Sequence, residues 1–123
     1  HCMAEALGGL YDTPHGVANA LFLPTVTEFN IPADVKKHAE VARALGVDIR
    51  GKALEEAAME GAAALRQLCT DVGIPKMKDM PEIKPEDFPA LAEASEKNVS
   101  TPSNPRAVTA KEYLYLFKKA YES

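Results

Sequence analysis

The chain has 123 residues, 46% of them hydrophobic and 26% charged, enough to build one domain with a real core and too few for two. Its net charge of −4 and its lysines scattered among acids exclude the basic stripe that a nucleic-acid binder needs. The two cysteines, Cys2 and Cys69, make no disulfide framework, and the longest apolar stretch, Val17 to Val26, is broken by Asn19, Pro24 and Thr25, far short of a membrane span. Free thiols, a cytoplasmic setting and no membrane are therefore expected, and no secretory signal is visible.

The elements follow in order. Residues 1–7 read as the last turns of a helix that Gly8-Gly9 ends. Asp12 or Thr13 then caps a helix opening at Pro14 and running from His15 to about Phe29. That segment is apolar nearly all round, so it is expected to be buried, with a kink at Pro24. Pro32 opens a helix to about Leu45, with Lys36, Lys37, Glu40 and Arg43 wet and Val35, Ala39, Ala42 and Leu45 dry.

Lys52 to Val72 is a long helix whose Leu54, Ala57, Ala58, Ala62, Leu65, Leu68 and Cys69 fall at three-and-four spacing, stopped by Gly73 and Pro75. Residues 74–85, with prolines and lysines, read as an extended surface loop. Pro85, Glu86 and Asp87 start a helix to about Asn98. A turn-rich link over 100–106 precedes a capping box, Thr109 with Glu112, and a last helix from Ala110 to about Tyr121. No strand and no repeat is predicted. The fold class is all-α, a bundle of about five or six helices.

Chemistry concentrates at the start. His1 and His15 flank a small-residue turn, and imidazole is a common ligand for zinc, iron and copper. If the turn folds two helices back on each other, the two rings converge in one cleft. On the residues alone the pair reads either as half of a metal site or as a helix-capping His15 with a loose terminal His1. Neither H-E-x-x-H nor C-x-x-C is present. Glu5, one turn after His1 on the same face, reads as a group for a metal-bound water or substrate, or as a solvated acid. Cys2 points the other way and reads as packing. His38, among Lys36, Lys37 and Glu40, has no assigned role.

The segment from His1 through Pro24, with Gly8-Gly9, Pro14-His-Gly-Val-Ala-Asn-Ala20 and Leu23-Pro24, resembles the signature of the iron-dependent (group III) alcohol dehydrogenases. Thr101-Pro-Ser-Asn-Pro-Arg106 resembles a second element of that family, near its C-terminus. The resemblance implies the C-terminal helical part of a dehydroquinate-synthase-like enzyme. Residues 1–123 would be its metal-binding domain, without the nucleotide-binding domain that lies upstream in the family.

It implies that His1 and His15 are two of four protein ligands to Fe2+, with Zn2+ as an alternative ion. The other two, an aspartate and a histidine, belong to an earlier helix. It implies hydride transfer between an alcohol and an aldehyde or ketone with NAD or NADP, a small-molecule substrate and a homo-oligomer. Many members carry a proton-relaying histidine where this chain has Glu5, and some a cysteine where it has Ser100, in the cleft wall. The chain opens directly on a functional segment, so it is expected to be a piece of a larger enzyme and inactive alone. Two rival readings are a metal-free helical interaction module and a zinc-dependent glycerol dehydrogenase-like branch.

Overall fold

The computed structural model describes residues 1–122. Six α-helices account for it, joined by short 3₁₀ turns, with no strand among the described residues. They are α1 (Cys2–Tyr11), α2 (His15–Asn30), α3 (Val35–Ala44), α4 (Leu54–Asp71), α5 (Phe88–Glu96) and α6 (Ala110–Glu122). The all-α reading holds. Among the described residues no helix is long and apolar enough to cross a membrane.

The core lies where α1, α2, α5 and α6 meet. Leu7, Phe22, Phe88, Leu91, Leu116 and Phe117 fill its centre. Phe117 anchors it, with Phe22 edge-on at 5.2 Å and Phe88 stacked at 5.6 Å between centroids. Such aromatic pairs add about 0.5–1.5 kcal/mol each beyond the area they bury.

The first helix does not stop at its glycines. α1 runs through Gly8 and Gly9, and Asp12 ends it, in the left-handed region at φ 57° with its N–H on the Gly8 carbonyl. Asp tolerates this conformation better than most residues, so the cap falls three residues later than the glycines suggest. Neither Asp12 nor Thr13 caps α2. Its N-cap is Pro14, with no side-chain cap, and His15 is the first helical residue.

Pro24 sits buried inside α2. A proline has no N–H, so the Ala20 carbonyl four residues earlier loses its helical partner. The Cys69 thiol lies 3.7 Å from that carbonyl and donates to it from α4. This contact ties α4 to α2 and offsets part of the proline's cost. α2 is less buried than its composition predicts: Leu23 is 51% exposed, and Val17, Leu21 and Val26 are half-buried.

α3 and α4 form a hairpin attached to the rest through α2. Pro32 belongs to a 3₁₀ turn over Ile31–Ala33, and α3 begins after it, where the Asp34 side chain accepts the Lys37 N–H at 3.1 Å. Ala39 and Ala42 are buried as expected, whereas Leu45 is exposed and Val35 only half-buried. On α4 the buried face consists of Ala57, Ala58, Gly61 and Ala62, while Leu54 and Leu68 are about half exposed. The crossing of α3 is so close that only small residues fit beneath it. A Cβ on Gly61 would stand 2.6 Å from the Ala42 Cβ. Three-and-four spacing finds the helix, but the largest side chains do not mark its inner face.

Residues 74–85 are more than a surface loop. A 3₁₀ turn over Met77–Asp79 packs under α6, and Met77 and Ile83 are buried in the core. Proline-rich backbone stays out of helices, yet its apolar side chains still go where water is absent. At α6 half of the expected capping box forms: Glu112 accepts the Thr109 N–H at 3.2 Å, and the Thr109 hydroxyl turns to the same carboxylate.

Candidate metal centre

The Asp12 cap reverses the chain, so the N-terminus of α1 and that of α2 bring His1 and His15 together. Their ring centroids are 5.0 Å apart with the planes at 73°. Both residues are exposed. His1 occupies the N-cap position of α1 without a side-chain cap bond, and His15 does not cap α2. Zinc sits about 2.0–2.1 Å from an imidazole nitrogen, and a centroid separation of 5.0 Å is of the size that two rings on one such ion would have. Among the described residues no third His, Cys, Asp or Glu joins them in a metal-holding group.

His1 also forms one wall of a cleft of about 330 Å³ between α1, α2, α6 and the 100–108 link. Met3, Val26, Phe29 and Leu116 give it an apolar floor, and Ser100 lies in its wall. Glu5 is exposed and accepts a hydrogen bond from the Asn98 amide, whose oxygen in turn accepts the Ser100 N–H at 2.8 Å. Cys2 is buried, as a packing residue should be. His38 sets its Nδ1 2.8 Å from the Asp34 carbonyl, inside its own helix.

The link over 100–106 has a role that spacing alone does not reveal. Asn104 and Asn30 pair amide to amide, at 2.9 and 2.7 Å. Arg106 donates to the Phe29 carbonyl at 2.8 Å and lies 4.0 Å above the Phe29 ring. The last carbonyls of a helix lack partners and carry the negative end of its dipole, so a guanidinium there satisfies both. The link thus fastens the far end of the helix that begins with His15. The polar residues of the motif were its visible signal; their partners, 74 and 77 residues away, were not.

Over residues 1–121 the chain matches the profile described as the Fe-containing alcohol dehydrogenase family, C-terminal. The chain belongs to the iron-containing alcohol dehydrogenase family. It is 42% identical to the 1,3-propanediol dehydrogenase of Klebsiella pneumoniae over 98% of its length and 31% of that protein's. It is 41% identical to the lactaldehyde reductase of Escherichia coli K12, over 98% of its length and 32% of that protein's. The solved structure of a 1,3-propanediol oxidoreductase superposes on 98% of the chain with a TM-score of 0.94 at 42% identity, using 31% of that chain. This chain therefore spans about a third of the length of these iron-family relatives.

Proposed function

We propose that this chain is the helical, metal-binding C-terminal domain of an alcohol dehydrogenase that interconverts a small alcohol and its aldehyde or ketone with NAD or NADP. The observation that carries the reading is the His1–His15 ring pair at 5.0 Å, standing within a family-wide match. The relatives' names, a 1,3-propanediol dehydrogenase and a lactaldehyde reductase, are those of an alcohol-oxidising and an aldehyde-reducing enzyme, the two directions of this type of reaction.

His1 and His15 would hold a divalent ion, iron(II) with zinc as the alternative, each through one neutral ring nitrogen. Bound there, such an ion would polarise the substrate oxygen and lower an alcohol's pKa. The chain's own part is positional. The two helix starts set the imidazoles side by side, and the apolar floor of Met3, Val26 and Phe29 shields one side of the cleft from water. Glu5, held by Asn98, is the proton-relaying carboxylate in this reading. The nicotinamide site and the remaining ligands, an aspartate and a histidine, would come from an upstream domain. That domain would seat beside the half-exposed Leu23, which lines a cleft with His1, within a homo-oligomer.

Two ligands from this chain fall short of the three or more that a catalytic metal needs. The 123-residue chain alone should therefore show no alcohol-dependent NAD(P) reduction. In a longer protein that carries the upstream domain, His15→Ala should remove bound iron, measured by elemental analysis, together with activity. Full iron occupancy in that variant would overturn the assignment.

A further inference from the structure

The Thr101 hydroxyl makes three contacts at once. It lies 2.6 Å from the Ser95 carbonyl, 2.9 Å from the Tyr113 hydroxyl and 3.4 Å from the Cys2 sulfur. A threonine hydroxyl has one proton and two lone pairs. The Ser95 carbonyl can only accept and is the nearest of the three, so the proton points there. The oxygen can accept from the Tyr113 hydroxyl, and the Cys2 sulfur lies within polar contact of it. These partners sit on three elements: Cys2 on α1, Ser95 on α5 and Tyr113 on α6.

All three partners are buried: Ser95 is 0%, Tyr113 5% and Cys2 6% exposed. Removing the hub would take a partner from the buried Tyr113 hydroxyl and Cys2 thiol, which costs more than a lost surface bond, while the Ser95 carbonyl keeps the Asn98 N–H at 3.2 Å. Cys2 directly follows His1, whose own ring is exposed and takes its place from the backbone of this first turn. The turn is also fixed by Met3 and Ala4 in the core, but those contacts are apolar and non-directional. The Cys2 thiol is its directional tie to the 100–106 link.

We infer that Thr101 is a positioning residue for His1: its hydroxyl fixes the first turn of α1 against α5 and α6, and so holds the His1 ring beside that of His15. The inference rests on the proposed metal reading only for its purpose, not for its geometry. Thr101 touches neither ring, so it acts through Cys2.

The test is NMR on the 123-residue chain, comparing wild type with Thr101→Val, which keeps the shape and removes the hydroxyl, and Thr101→Ser, which keeps the hydroxyl. Wild type and Thr101→Ser should show NOEs between the His1 and His15 rings. Thr101→Val should lose them while keeping the Phe88–Phe117 NOEs of the core. Zn2+ titration should then shift both histidine rings in wild type, with affinity about tenfold weaker in Thr101→Val, the size expected from one net hydrogen bond. Inter-ring NOEs that persist in Thr101→Val overturn the inference. If Thr101→Val unfolds, Cys2→Ala decides, because it cuts only the spoke to α1: lost NOEs support the inference and retained ones overturn it. Wild-type rings indifferent to Zn2+ would sink the metal reading, while the NOE comparison still decides the role of Thr101.

Discussion

Gly61 and Gly9 are both glycines inside helices, and replacing each by alanine should move stability in opposite directions. Alanine in place of a helix-interior glycine gains about 1 kcal/mol of helix propensity. At Gly9 a new Cβ meets nothing within 4 Å, so Gly9→Ala should realise most of that gain. At Gly61 the new Cβ stands 2.6 Å from the Ala42 Cβ, 2.9 Å from its Cα and 3.3 Å from its N. None of these atoms can rotate away, because all belong to the backbone of α3 or are fixed to it.

Relief at Gly61 requires the α3–α4 hairpin to spread. Overpacking of this kind costs about 1–3 kcal/mol and sometimes more, and the rigidity of both partners places it at the upper end. Net of propensity, Gly61→Ala should lose about 2 kcal/mol and lower Tm by roughly 6–10 °C. Combining it with Ala42→Gly removes the closest contact, so the double variant should lose less than the sum of the singles. Urea melts followed by circular dichroism give all four values. A Gly61→Ala chain as stable as wild type would refute the reasoning that small residues on α4 are there because α3 crosses so close.

Arg106→Met keeps much of the stem but removes the bond to the Phe29 carbonyl and the charge over the Phe29 ring; it should cost about 2 kcal/mol in the same melts, as a charge-assisted bond plus a cation–π contact, and Arg106→Lys should recover only part. Burial pushes the Tyr113 phenol up to about 12. The folded chain then keeps this proton where the unfolded chain, near pH 10, gives it up. The resulting stability is full below pH 10 and is lost as pH rises towards 12, on the order of one or two kcal/mol. Tyr113→Phe should flatten that stretch of the stability–pH curve, and an unchanged slope would count against the burial argument.

Much of the architecture was legible in the residues. Proline, glycine and three-and-four spacing place five of the six helices within a few residues, because these signals act on the local backbone. The ends that went astray were those decided by something distant or by a tolerant side chain: Asp12 ending α1, and a 3₁₀ turn taking Pro32. The inner face of α4 was misread because leucine and alanine both count as apolar in a pattern, while the close crossing of α3 admits only alanine and glycine. Residues 74–85 were misread because proline content speaks for backbone conformation and not for whether Met77 and Ile83 are buried.

The sequence by itself determined the helices, the family and the two imidazoles at the ends of one turn, since each is written in short runs of neighbouring residues. Only the tertiary structure decided that those rings lie 5.0 Å apart, that Cys69 covers the carbonyl that Pro24 leaves open, and that Thr101, Asn104 and Arg106 fasten the helices that begin near His1 and His15. The ring pair spans 14 positions, and the long-range hydrogen bonds join residues 49 to 99 positions apart. Side-chain hydrogen bonds and ring contacts depend on distances of a few ångströms, which local pattern cannot fix until the helices have packed.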